Sequence, residues 1–224
     1  PKYLKDLDII SLNVNTLVLV FVSSFFLILF AFVTNYGNRV SRSKLLEYLS
    51  TFSISGYAIP GVILAVALIT FFAWTSETAT FLFGTPSFKS FFIGSYLGLV
   101  LSYFVRFYSV AFNGIKSGYS KINKSIDESS YLLGHSRLKT FILIHMPYLK
   151  TNIFLIAILI TIEIIRELPL TLILRPYNFE TFSTLAYNYA AQDLLEAAAV
   201  PSLFLILWAS LFIFITSKYI LSEK

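Results

Sequence analysis

The chain has 224 residues, of which 57% are hydrophobic and 13% are charged, whereas soluble domains average about 45–50% and about 25%. It contains no cysteine, which excludes disulfides and cysteine-based metal sites. The formal charge of +5 does not indicate nucleic-acid binding, since in a membrane protein the placement of basic residues matters more than their number. The composition therefore predicts an all-α, polytopic membrane helical bundle.

Several apolar stretches reach the length of about 20 residues that a helix needs to cross a bilayer. Near the start of the second stretch, Pro60 would kink the span, and Gly61 would allow either close helix packing or a direct substrate contact. The segment 175–191 is predicted to be irregular, and Pro201 is predicted to interrupt the last span. The five predicted spans lie at about 15–36, 54–74, 90–115, 151–174 and 197–219.

One polar-rich segment lies between the third and fourth predicted spans. Ser125 and Glu128 match a capping box and predict a helix start. Gly134 is placed to end that helix in the left-handed conformation. Ser136 is a candidate N-cap for a second helix, which Pro147 would close. The segment is therefore predicted to form a helix, a sharp turn and a second helix.

The polar segment carries a spaced motif, whose residues are Glu128, Ser129, Ser130, Gly134, Ile144, Met146 and Pro147. This spacing resembles the cytoplasmic loop of permease subunits of binding-protein-dependent ABC importers, written Glu-Ala-Ala, three residues, Gly, nine residues, Ile-x-Leu-Pro. The departures are Ser-Ser for Ala-Ala and Met for Leu. In that family the loop is a coupling helix that docks on the ATPase, and the resemblance implies ATPase coupling for the matching residues within 115–150. The alternative is an ordinary amphipathic loop helix.

Other segments resemble the permeases of ferric-iron importers. Gly56-Tyr-Ala-Ile-Pro-Gly61 and Tyr103-Phe-Val-Arg-Phe107 resemble their second and third spans. The run from Arg166-Glu-Leu-Pro169 through Leu172-Ile-Leu-Arg-Pro176 to Asn178, Phe179 and Thr181 resembles a second-half run of those two-half chains, with Arg in place of the usual Lys. The resemblance implies the MetI-like permease fold, with residues 1–224 as one transmembrane domain that forms the C-terminal half of a longer permease.

The resemblance also implies the partners. A transport subunit of this kind is not an enzyme and needs no cofactor. It works with two copies of a cytoplasmic ATPase, an extracytoplasmic binding protein, an N-terminal permease half and membrane lipid, and not with nucleic acid. The implied cargo is ferric iron, with thiamine, a polyamine or an oxyanion as alternatives, and an ion-coupled secondary transporter is the alternative from another class. His135 and His145 are predicted to be solvated rather than metal ligands, because no second ligand lies at suitable spacing.

Four charged residues lie inside predicted spans and away from the span ends, where charge is costly and marks a pathway or a partner. Arg106 lies in the third span, and Glu163, Arg166 and Glu167 lie in the fourth. Arg166 and Glu167 follow Glu163 by three and four residues, a spacing that predicts one shared helix face in the fourth span. Two interpretations remain open, a translocation path that meets a charged substrate and a structural ion pair that includes Arg106.

The distribution of basic residues predicts the orientation in the membrane. With the motif loop in the cytoplasm, the cytoplasmic side carries most of the lysines and arginines, and the C-terminus lies on that side. Because the chain starts at Pro1 and its one methionine is Met146, we expect a fragment or processed chain with at least one earlier span. The expected location is the bacterial cytoplasmic (inner) membrane. The few basic residues predicted outside are Lys2, Lys5, Lys89 and Arg175, and those predicted inside are Arg39, Arg42, Lys44, Lys116, Lys121, Lys124, Arg137, Lys139, Lys150, Lys218 and Lys224.

Overall fold

A computed structural model describes residues 8–41, 48, 50–51, 55–84 and 89–222 of the chain. Within this part, every assigned element is a helix, and five helices are long and apolar enough to cross a bilayer. The predicted all-α bundle with about five spans is therefore confirmed. Lys2, Lys5, Arg42, Lys44 and Lys224 lie outside the described residues. The five long helical stretches are α1 (Ile9–Ser41), α2 (Gly61–Phe83), α4 (Tyr96–Ser120), the continuous run Arg137–Ile165, and α10 (Leu195–Ser222).

Short elements connect and complete these spans. A 3₁₀ turn at Ser55–Ala58 precedes α2, and a π-helical turn at Phe141–His145 lies inside the fourth long run. Between α4 and this run, and again between it and α10, short helices replace simple loops. The connecting helices are α5 (Lys124–Leu132), α8 (Pro169–Leu174) and α9 (Phe182–Ala191). Helix α3 (Lys89–Phe92) precedes α4, and the fourth run consists of α6 (Arg137–Thr140), the π turn and α7 (Met146–Ile165).

Helix α4 is the centre of the bundle and packs against both α1 and α7. Its contact with α7 depends on small residues, because a Cβ at Gly114 would come within 2.7 Å of the Ile156 side chain. Inside a bilayer, small residues and side-chain hydrogen bonds hold helices together, since lipid offers no hydrophobic gain. Examples are the bonds from Asn35 Nδ2 to the Phe112 carbonyl at 3.1 Å and from Asn152 Nδ2 to the Gly114 carbonyl at 2.8 Å.

The structure corrects the interpretation of three prolines. Pro60 does not kink the second span, because it is the N-cap of α2, which begins at Gly61 instead of residue 54. Pro169 is the first residue of α8, and the fourth span ends at Ile165 instead of residue 174. Proline suits such positions because the first helical residues need no N–H bond. Pro201 does not interrupt the last span, since α10 runs through it.

The segment predicted to be irregular, 175–191, instead contains α9. Thr181 caps this helix, and Thr184 completes a capping box through mutual side-chain and backbone hydrogen bonds. The capping box was not recognised in the sequence because its third residue is Thr and not the usual Glu or Gln. Helix α9 packs on α10, and α8 packs on α2 and α4. These two short helices therefore fill the end of the bundle opposite to α5.

Candidate functional site

Helix α5 begins two residues earlier than the capping box predicted. Asn123 is the N-cap, and its side-chain oxygen accepts a hydrogen bond from the Ser125 amide at 3.2 Å. The predicted Ser125–Glu128 capping box is therefore wrong, since Ser125 is already a helical residue. Asparagine and serine are similarly good N-caps, so the sequence offered two candidate starts. Glu128 is consequently free of a capping role and is exposed on the surface of α5.

Two other local predictions in this segment are confirmed. Gly134 has φ +78°, the left-handed conformation that favours glycine, and no atom lies within 4 Å of a Cβ added there. The conformation, and not the space, therefore calls for glycine at this turn. Ser136 caps α6 by accepting a hydrogen bond from the Lys139 amide at 3.3 Å.

Pro147 does not close the second helix. It is the second residue of α7, and the helix continues past it to Ile165. The preceding residues form the π turn, in which the Met146 amide bonds the Phe141 carbonyl five residues earlier. A proline has no N–H to continue the ladder. The lost bond is accommodated by this local change of helical register, and the chain stays helical.

The motif residues separate into an exposed group and a buried one. Glu128 and Ser129 are exposed, as is Leu132, at 89%. Ser130 is buried, and its hydroxyl lies 2.8 Å from the Thr140 hydroxyl. The free surface of α5 is thus formed by the first two residues of the motif and by two leucines at its C-terminal end, while Ser130 joins α5 to α6. Leu133 is the second of these leucines, at 76% exposure.

An ionic cluster beneath α5 was not recognised in the sequence. Arg39 Nε donates to Asp127 Oδ2 at 2.7 Å, and His145 Nε2 lies 2.9 Å from Asp127 Oδ1. The prediction that His145 is solvated is wrong, because its side chain is completely buried. His135 is half-buried, with Nδ1 3.3 Å from the Ser130 hydroxyl. Burial by itself raises the pKa of the Asp127 carboxyl, but hydrogen bonds and charges from Arg39 and His145 together lower that pKa below its ordinary value.

This lowered pKa makes the stability of the cluster dependent on pH. A carboxyl whose pKa is depressed by folding contributes stability above its unfolded pKa of about 3.9, and the contribution is lost as the pH falls through the lower folded pKa. We therefore expect the difference in unfolding free energy between the wild type and Asp127→Asn to shrink below about pH 4. Unfolding in detergent from pH 7 to pH 3 measures this difference. A constant difference across that range would contradict the assignment.

The four charged residues in the spans form two separate pairs. Arg106 Nε donates to Glu167 Oε2 at 3.0 Å, with 18% and 7% of the two side chains exposed. Arg166 pairs with Glu163 and is 62% exposed. The predicted shared face is wrong, because α7 ends at Ile165 and Glu167 turns towards α4 instead.

The Arg106–Glu167 pair joins four parts of the bundle. Arg106 Nη1 also donates to the Ile59 carbonyl at 3.0 Å, which connects α4 to the turn before α2. Glu167 Oε1 accepts from the Leu170 amide in the first turn of α8, and its backbone carbonyl accepts from the Ser183 hydroxyl of α9. Each charge is thus both paired and hydrogen-bonded, as a charge inside a membrane protein requires.

Comparison with known proteins gives one curated relative. No family model matches the chain. The chain is 20% identical over 178 residues to the Fe(3+)-transport system permease protein FbpB 2 of Haemophilus influenzae. The match covers 80% of this chain and 33% of that protein, so the chain spans about a third of the relative's length.

Two solved structures share the fold. One is the inward-facing MetNI methionine ABC transporter, with a TM-score of 0.69, 16% identity, and coverage of 94% of this chain and 93% of that chain. The other is a bacterial ABC transporter involved in the import of the acidic polysaccharide alginate, with a TM-score of 0.74, 17% identity, and coverage of 93% and 77%. The chain has the fold of ABC transporter permeases, as the resemblance of its motifs implied.

Proposed function

We propose that this chain is part of the membrane-spanning permease of an ATP-driven importer, and that it carries ferric iron from an extracytoplasmic binding protein to the cytoplasm. The fold supports the transport role. The cargo rests on the curated relative and on the motifs around Pro60, Arg106 and Pro169. The substrate crosses the membrane by alternating access between an outward-open and an inward-open state of the spans. ATP binding to separate ATPase subunits favours one of these two states.

The observation that carries the proposal is the exposed surface of α5. This helix lies between two spans and presents Glu128, Ser129 and, at its C-terminal end, the exposed Leu132 and Leu133. Large exposed apolar side chains rimmed by polar residues mark protein interaction sites. The ATPase is the proposed partner, because the motif spacing on α5 and α6 resembles that of the permease coupling loop.

The charges at the two ends of α7 support a cytoplasmic position for α5. The end that carries α5 also carries exposed basic residues, among them Lys121, Lys124, Arg137 and Lys139. At the opposite end, Arg175 is neutralised by an ion pair with Glu180. An excess of unpaired basic residues marks the cytoplasmic side of a membrane protein.

The proposed partners are two copies of the ATPase, a binding protein at the α8–α9 end, and an N-terminal permease half for which this chain is the C-terminal half.

The two charged pairs fit different roles. The enclosed Arg106–Glu167 pair holds helices in place, while the exposed guanidinium of Arg166 beside Glu163 is available to a passing substrate. Ferric iron prefers hard oxygen ligands such as carboxylate. We propose that Glu163 and Arg166 line the translocation path.

An uptake experiment tests the function and the cargo together. Cells that lack the full-length gene are compared with re-expressing cells under iron limitation, and the uptake of ferric iron, thiamine, a polyamine and an oxyanion is measured in parallel. We expect a defect in iron uptake alone, restored by re-expression and insensitive to collapse of the proton gradient. A defect in another cargo would overturn the iron assignment. Sensitivity to the proton gradient would favour a secondary transporter.

Charge reversal on α5 is expected to abolish uptake without loss of the protein from the membrane. Glu128→Lys changes an exposed side chain, for which stability effects are within about 0.5 kcal/mol. If α5 binds the ATPase, however, the reversed charge should reduce the amount of ATPase that copurifies with the permease by more than about tenfold. The matched control is Glu196→Lys, an exposed carboxylate in the first turn of α10. Equal uptake by both variants would contradict the coupling role.

A further inference from the structure

Helix α5 is attached to the bundle by two buried polar side chains and one apolar contact. Asp127 and Ser130 are its buried residues, and Ile126 is partly buried against the core, whereas Tyr131 and Leu132 are exposed. Apolar contacts are non-directional and permit sliding. Hydrogen bonds to charged groups have fixed geometry and are about twice as strong as neutral ones. The attachment of α5 therefore specifies its orientation on the spans.

The Asp127 carboxylate is shared by two spans. One oxygen accepts from Arg39 near the end of α1, and the other faces His145 in the π turn before α7. Because an ionised carboxylate can only accept hydrogen bonds, His145 must present Nε2–H to Asp127. The ring is held in this orientation by aromatic neighbours, with centroids 5.7 Å from Tyr36 and 5.4 Å from Tyr119.

Arg39 extends the same connection to α4. Its Nη1 donates to the Tyr119 carbonyl at 3.3 Å, and its Nη2 donates to the carbonyls of Ile122 and Asn123 at 3.0 and 3.2 Å. These carbonyls lie at the end of α4 and in the turn that enters α5. A guanidinium that makes these four hydrogen bonds fixes the position of the turn as well as that of Asp127.

We infer that Asp127 is a positioning residue that makes α1, α5 and α7 move as one body, so that a displacement of α5 is transmitted to both spans. The inference rests on the proposed function, in which the ATPase displaces α5. Glu128 and Asp127 then have distinct roles, although they are neighbours in the sequence. Glu128 contacts the partner, and Asp127 transfers the movement inward.

Spin-label distances test this directly, and the absence of cysteine from the chain simplifies the labelling. Labels are placed on exposed residues, Ser125 of α5 paired with Val33 of α1, and Ser125 paired with Leu159 of α7. Distances are measured in the complex with the ATPase, with and without trapped ATP. In the wild type we expect both distances to be narrowly distributed and unchanged by ATP. In Asp127→Asn we expect broad distributions that shift when ATP is trapped, while the complex still assembles.

Variants of His145 separate positioning from general stability. His145→Gln keeps a side-chain N–H that can reach Asp127, whereas His145→Ala removes it. We expect the glutamine variant to retain the narrow Ser125–Leu159 distance and the alanine variant to lose it. The matched control is Asp193→Asn, an exposed carboxylate in the turn before α10.

Four results would contradict either the inference or the proposed function. Wild-type distances that shift with ATP, or an Asp127→Asn variant that matches the wild type, would overturn the inference. Loss of assembly in parallel with every change in distance would show a structural role only and would also overturn it. Failure of wild-type complexes to respond to ATP by any measure, including hydrolysis, would overturn the proposed function instead.

Discussion

Replacement of Arg106 by alanine is expected to destabilise the protein by about 3 kcal/mol, because it leaves Glu167 charged and unpaired inside the bundle. The Glu167 side chain is only 7% exposed, and its second oxygen already accepts from the Leu170 amide. The variant also removes the hydrogen bond to the Ile59 carbonyl. Chemical unfolding in mixed detergent micelles measures the loss.

Arg166→Ala is the matched control, because it removes the same side chain from the other intramembrane pair. Arg166 is 62% exposed, and exposed pairs contribute at most about 1 kcal/mol. The double variant Arg106→Ala/Glu167→Ala should recover part of the loss, since no unpaired charge remains. Equal destabilisation by Arg106→Ala and Arg166→Ala would contradict the division into an enclosed structural pair and an accessible pair.

The five spans could be predicted because a bilayer imposes a simple requirement of length and apolarity. The ends of the spans could not, because a proline inside an apolar run has two meanings. Pro60 and Pro169 start helices, whereas Pro201 lies within one. Hydropathy does not distinguish these cases, since the choice depends on whether neighbouring elements can bond the freed carbonyls.

The local features of the motif segment could be predicted, and the contacts beneath it could not. Gly134 was found because its backbone conformation is a property of a single residue. The partners of Asp127 lie 88 and 18 residues away in sequence, so no local pattern relates them. One signal was present, an arginine at the end of the first apolar helix, but it was interpreted only as one of the basic residues of the cytoplasmic side. Arg39 is instead the residue that joins this helix to α5.

The second large effect is expected from Gly56→Ala. A Cβ at Gly56 would lie 2.0 Å from the Val105 carbonyl oxygen, closer than real side chains ever approach. The oxygen belongs to the backbone of α4 and cannot rotate away, so the 3₁₀ turn before α2 must move. Overpacking usually costs 1–3 kcal/mol, and a backbone clash of this size is expected at about 3 kcal/mol.

This displacement should also weaken the neighbouring ion pair. The turn carries the Ile59 carbonyl to which Arg106 donates, and Arg106 follows Val105 in the chain. The control is Gly84→Ala, where no atom lies within 4 Å and the cost is confined to a φ of +66°, about 1 kcal/mol. We expect Gly56→Ala to reduce the amount of folded protein in detergent. We also expect Arg106→Ala to destabilise the Gly56→Ala variant less than it destabilises the wild type. Additive losses would mean that the turn and the ion pair stabilise the bundle independently. In that case Gly56 would serve only close packing against α4, and the Arg106–Glu167 pair would stabilise the bundle without it.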